Sequence, residues 1–153
     1  MSVSVQQADF NVQQEYQRVV DEAGDAGAVV LFTGLVREFY QGDRSQVQSL
    51  TLEHYPGMTE KALADIEFQA QQRWPLLASR IVHRVGCLHA KEQIVLVIAA
   101  SAHRGAAFEA ADFMMDYLKS RAPFWKKQTS GDETEWIASR ASDAAALARW
   151  DSE

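Results

Sequence analysis

The sequence predicts a single α+β domain, residues 1–153, built on a mostly antiparallel sheet with packed helices. Three observations carry that expectation. Apolar, β-branched segments at 27–37, 47–55, 79–88 and 93–101 come in pairs, and each pair is followed by a helical segment. The two strands of each pair are close enough in sequence to turn back on each other. The chain of 153 residues, 47% hydrophobic and 24% charged, suits one core of ordinary composition.

The elements follow in order. Residues 2–7 could form a short edge strand, within an N-terminus (1–10) expected, like 151–153, to be loosely ordered. Asn11 can cap a helix over 12–23, with Val12, Tyr16, Val19 and Val20 on one face and Gly24 as its stop. The segment GAVVLFTGLVR at 27–37 reads as a buried strand, in which Gly34 marks a bulge or a close approach to the backbone. A polar loop is expected at 38–46. The alternating strand 47–55 follows, simplest as a hairpin with its predecessor, and ends at Pro56-Gly57. A helix over 59–74 takes Thr59 as its cap and turns Ala62, Leu63, Ile66, Ala70 and Trp74 inward. Pro75 ends it. Strands at 79–88 and 93–101 meet through a turn at 90–92, and the apolar run IVLVIAA makes the second one central. A helix over 105–121 presents Phe108, Ala111, Met115 and Leu118 inward, widened by Ala107, Phe113 and Met114. After Pro123, Phe124 and Trp125 anchor a turn presenting Lys126 and Lys127. A loop at 129–133, a short strand at 134–138 and a last helix from Ser142 to Trp150 complete the chain.

Charge is distributed unevenly. The chain carries a formal net charge of -6, yet 101–127 holds five lysines and arginines against three acids. A local cationic field in an acidic chain points to an anionic ligand. The acidic whole argues against nucleic acid as main partner. No apolar run reaches the roughly 20 residues of a membrane span. The N-terminal residues lack the basic and apolar regions of a secretion signal, and the one cysteine, Cys87, allows no intrachain disulfide; both fit a reducing cytoplasm.

His103 and Arg104 follow a buried strand and open a helix, where free N–H groups and the helix dipole favour an anion. The alternative is that His103 only caps the helix and Arg104 is solvated. Lys119 and Lys126 are the sharper pair, since a lysine held by packing beside a second cation is a candidate nucleophile or proton donor. Arg37 ends a strand and offers a guanidinium to phosphate or carboxylate. Cys87 reads as a core or edge thiol, His54, His83 and His89 lack metal-ligand spacing, and Trp74, Trp136 and Trp150 read as packing residues. No dinucleotide fingerprint, P-loop or nucleophile elbow occurs.

Five segments in order, FTGLVRE (32–38), LTLEHYPGMTEKAL (50–63), HRVGCL (83–88), SAHRGAAFEA (101–110) and DYLKSRAPFWKK (116–127), resemble the large, catalytic subunit of molybdopterin synthase. The resemblance implies an α/β-hammerhead type of α+β fold and a homodimer. It implies that each subunit binds a ubiquitin-like sulfur-carrier small subunit, giving a heterotetramer, and that the carrier's C-terminal Gly-Gly thiocarboxylate enters a pocket. The implied substrate is cyclic pyranopterin monophosphate, which receives two sulfurs to form the dithiolene of molybdopterin, with no metal or organic cofactor. It assigns Lys119 and Lys126 as catalytic. Leu35, Val36, Arg37, His103, Arg104, Lys127, Gln128 and Arg140 join them in binding substrate. Some relatives carry lysine at Leu35 and arginine at Lys127, so Leu35 is left with backbone or apolar contact and Lys127 lacks bidentate geometry.

Spacing adds one expectation. At about 1.5 Å per residue, His103 and Lys119 lie about 24 Å apart along a helix. One site using both needs them from different subunits. Competing readings are a non-catalytic docking module for a ubiquitin-like carrier, which would not need the two lysines, and another anion-binding enzyme such as a phosphoesterase.

Overall fold

A computed structural model describes residues 2–37, 49–130, 133–137, 147–148 and 150; for 125–130 and 133–137 it describes the backbone. In chain order the elements are β1 (Val3–Gln6), α1 (Val12–Ala23), β2 (Ala28–Leu35), β3 (Ser49–His54), α2 (Met58–Arg73) and β4 (Leu76–Arg84). They continue with β5 (Gly86–His89), β6 (Gln93–Ser101), α3 (Arg104–Arg121), β7 (Phe124–Ser130) and β8 (Glu133–Ile137). Among the described residues the strands form two four-stranded sheets, ordered β1-β4-β6-β2 and β5-β3-β7-β8. Each described pairing is antiparallel except β1 with β4. The α+β class expected from the sequence is therefore the class observed.

The first sheet is covered on both faces, and β6 shows why its sequence is apolar throughout. Val95, Val97 and Ala99 enter the core beneath α2 and α3, while Leu96, Ile98 and Ala100 enter a second core beneath α1. Successive residues of a strand face opposite ways, so a strand covered twice needs an apolar residue at every position. Each fully buried Val, Leu or Ile there contributes about 1.5–3 kcal/mol. Helix α1 begins as expected, with the Asn11 side chain accepting from the Gln14 N–H at 3.0 Å. It ends at Gly24, φ +72°, and Arg80 of β4 pairs with its Glu15 at 2.7 Å.

Several expectations are corrected. Strands β2 and β3 do not form a hairpin: β2 pairs with β6, and β3 lies in the second sheet between β5 and β7. The cause is burial, because Leu52 of β3 is covered by Leu88 of β5 and by Val36 beyond β2. The expected strand 79–88 is two strands, broken where Gly86 (φ +93°) carries the chain from the first sheet to the second. The first residues are held, with β1 beside β4 and the Ser2 hydroxyl bonded to the Glu67 carboxylate. Phe108 is 60% exposed, because the inward stripe of α3 is Ala107, Ala110, Ala111, Met114, Tyr117 and Leu118, with Phe113 beside it. Thr59 does not cap α2; Gly57 takes that position. The turn expected to present Lys126 and Lys127 is strand β7, which continues to Ser130 in place of the expected loop start. The loop at 38–46 and most of the last helix, from Ser142, lie outside the described residues, as do 151–153.

Candidate active site

The sheet register sorts the candidate residues into two groups. Ala28 of β2 pairs with Ser101 of β6, and two residues on His103 begins the entry into α3. At the other end, Gly34 of β2 and His83 of β4 both pair with Val95 of β6. Six residues of strand separate these rows, about 20 Å at about 3.3 Å per residue. The ring of Phe124, the first residue of β7, stacks on His83 with centroids 3.7 Å apart. Helix α3 therefore starts near the Ser101 row and delivers its last turn to the Val95 row.

His103 and Arg104 occupy the first end. His103 holds the N-cap position of α3 with extended backbone (φ -132°, ψ 151°), but its side chain makes no capping bond, and the first turn carries no acid. Both residues are exposed. The capping role weighed for His103 is thus not made, and the N-terminal N–H groups keep the local positive potential that favours an anion.

The second end gathers the rest. Gly34 is tight because a Cβ there would lie 2.8 Å from Val95 Cγ1, so the close approach expected at this glycine is to the neighbouring strand. The register shifts between Gly34 and Leu35, a bulge that ends regular pairing. Leu35 is 51% exposed and Val36 is 4% exposed. The Val36 N–H donates to Glu92 O at 2.9 Å, and Val36 O accepts from the Lys91 N–H at 2.8 Å. Arg37 follows, exposed, from this anchored backbone. Lys119 is exposed in the last turn of α3, so among the described residues no packing supplies the partial desolvation expected of it. Lys126, Lys127 and Gln128 are backbone partners of Leu52, Thr51 and Leu50. Leu52 touches the same small core as Val36, which ties the β7 backbone to the segment leading into Arg37. Arg140 lies outside the described residues.

Between the two ends, Leu31 (39% exposed), Phe32 (44%) and Phe108 (60%) are open to solvent. With Val30, Met115 and Trp150 they line a groove of about 460 Å³. Phe32 stood in a quoted motif and Phe108 was assigned to the core, so this surface was missed. Thr59 and His83 were also missed as site neighbours; the partners that tie them to the site, Pro123 and Phe124, are distant in sequence, and no local pattern marks them. Cys87 is exposed on β5, an edge strand.

The layout is a two-sheet α+β domain with the exposed cations Arg37 and Lys119 toward one end of the first sheet. The family model described as MoaE protein matches residues 5–121, and the chain belongs to that family. It is 54% identical over 149 residues to the molybdopterin synthase catalytic subunit of Vibrio cholerae, covering 97% of each chain. The solved molybdopterin biosynthesis MoaE protein of Burkholderia ambifaria superposes with a TM-score of 0.84 at 44% identity, covering 99% of both chains. A Helicobacter pylori chain, from a structure described as a complex of subunits 1 and 2 of molybdopterin-converting factor, matches with a TM-score of 0.74. At 18% identity, over 92% of each chain, that likeness establishes the fold alone. The chain is an enzyme of molybdenum cofactor biosynthesis, acting as a molybdopterin synthase catalytic subunit.

Proposed function

We propose that the chain transfers sulfur from the C-terminal thiocarboxylate of a ubiquitin-like small subunit to cyclic pyranopterin monophosphate, twice, forming the dithiolene of molybdopterin. The observation that carries this reading is the meeting of the β2 end, the α3 end and β7 at one end of the first sheet. Thiocarboxylate and cyclic phosphate are both anions, and fixed cations lower the cost of bringing them together. Sulfur attack on the pterin side chain opens the cyclic phosphate and calls for a proton. For the sulfur to stay on the pterin, the carrier's acyl–sulfur bond must then yield to water.

In this reading Lys119 donates the proton or polarises the thiocarboxylate carbonyl, and Lys126 and Arg37 hold phosphate. Leu35 and Val36 offer backbone or apolar contact, while Lys127, Gln128 and Arg140 complete the binding surface. His103 and Arg104 come from a second copy of the chain, so the enzyme is a homodimer, and a heterotetramer with its carriers. The solvent-exposed apolar groove between the two ends of α3 favours such a copy, because exposed aromatic surface of this kind gains by burial. The reaction needs no metal or organic cofactor, and its setting is the cytoplasm. Among the described residues no helix is long and apolar enough to cross a membrane.

The direct test is incubation with thiocarboxylated carrier and cyclic pyranopterin monophosphate, with mass detection of the dithiolene product. Lys119→Ala is expected to lose turnover far more than substrate binding. Equal losses in both would remove Lys119 from the chemistry.

A further inference from the structure

Two buried polar side chains lie against the short tether that joins Lys119 to Lys126, and the mechanism above uses neither. Thr59 has no exposed surface and His83 is 4% exposed. Thr59 is not the cap of α2, so its hydroxyl serves something else. It donates to the carbonyl of Pro123 at 3.1 Å and accepts the N–H of Tyr55 at 3.1 Å. The Thr59 N–H in turn donates to Tyr55 O at 2.9 Å. A hydroxyl has one proton to give, and here it goes to the carbonyl of Pro123, one of the two residues between the end of α3 and the start of β7.

His83 acts one residue later. Its ring lies nearly parallel to that of Phe124, 17° between planes and 3.7 Å between centroids. Its Nδ1 is 2.7 Å from the carbonyl of Arg84. A carbonyl only accepts, so Nδ1 carries the hydrogen and the ring plane is fixed. The tether is then held at successive residues. Ala122 N–H bonds to Leu118 O at 3.4 Å, Pro123 O is held by Thr59, Phe124 N–H bonds to Ala122 O at 2.9 Å, and the Phe124 ring is held by His83. Proline at 123 further narrows the backbone.

We propose that Thr59 and His83 are positioning residues that set the relative placement of Lys119 and Lys126. They act through the tether and touch no substrate. The inference rests on the proposed roles of the two lysines. Without these anchors the segment keeps its helix and strand but gains freedom at the joint, so the backbone positions of Lys119 and Lys126 lose their fixed spacing.

The test uses the full chain with its thiocarboxylated carrier and cyclic pyranopterin monophosphate, reading kcat, KM and melting temperature together. Thr59→Val keeps the shape and removes the hydroxyl. It is expected to lower kcat about 10- to 100-fold, the scale of a small misplacement of catalytic groups, and to raise KM less steeply as Lys126 loses part of its hold on phosphate. Thr59→Ser is expected to restore most of the loss. Phe124→Leu, which removes the stack from the other side, tests the His83 contact and is expected to shift kcat in the same direction. Wild-type kcat in Thr59→Val and Phe124→Leu overturns the proposal. So does a loss that follows only the folded fraction and is not rescued by Thr59→Ser. Should Thr59→Val fail to fold, Phe124→Leu decides alone. Lys119→Ala and Lys126→Ala run alongside: full turnover in both sinks the lysine reading itself, whereas their inactivity beside an active Thr59→Val sinks only the positioning role.

Discussion

Asp9 illustrates how much a single exposed residue can be constrained. Its Oδ1 accepts from Gln93 Nε2 and from the Phe10 N–H, each at 2.8 Å, with the Arg84 guanidinium 3.9 Å away. The Gln93 bond leads these effects and holds the carboxyl below its usual range, against a smaller opposing effect of burial. A carboxylate whose folded pKa is depressed adds stability above its unfolded pKa and loses it as pH falls through the folded one. Asp9→Asn is therefore expected to lower the melting temperature slightly at neutral pH. The gap should close as pH drops below the usual carboxylate range, measured by thermal unfolding at several pH values. The effect stays small because the side chain is 60% exposed and salt screens it. At this scale the candidate cations were legible, because charge and flanking pattern are local properties. Thr59 and His83 were not. The Thr59 hydroxyl finds its partner 64 residues away, a relation no sequence window contains.

At the scale of elements, Gly86 decides which sheet a strand joins. With φ +93° it sits in the left-handed half of backbone space, and the atoms nearest a Cβ there, on Gln7, lie at an ordinary 3.7 Å. Gly86→Ala therefore meets conformational strain and no clash. A cost of about 1–2 kcal/mol is expected in denaturant unfolding, the price of left-handed backbone for a residue with a side chain. The capped α1 and the central β6 were legible because capping and continuous apolar runs are local signals. The division of 79–88 was not, because both halves are β-rich and only the second sheet gives the break its purpose. The stripe of α3 was misread by about one residue for a related reason. Phe108 is as apolar as its neighbours, and only the packing partner decides which face turns inward.

For the whole molecule, the separation of the two candidate groups carries the strongest expectation. His103 and Arg104 stand near the Ser101 row, and the Lys119 turn stands near the Val95 row, so one chain does not gather them. In the proposed homodimer, each site would draw on both copies. Mixing His103→Ala with Lys119→Ala subunits is then expected to recover part of the activity that each variant lacks alone, since one site of a mixed dimer is intact. Verified mixed dimers with no recovery would dismiss a shared site.

The sequence by itself determined the α+β class, the capped first helix, the buried central strand and the basic character of 101–127. Each of these follows from periodicity, capping chemistry or charge within a short window. Five local segments also sufficed to indicate the family. Tertiary structure alone decided that β3 leaves β2 for a second sheet, that Phe108 faces out, and that Lys126 belongs to a strand anchored to Leu52 and not to a turn. Those outcomes depend on which apolar faces cover one another across the whole chain. Burial is a sum over distant partners, and no local pattern fixes the winner among them.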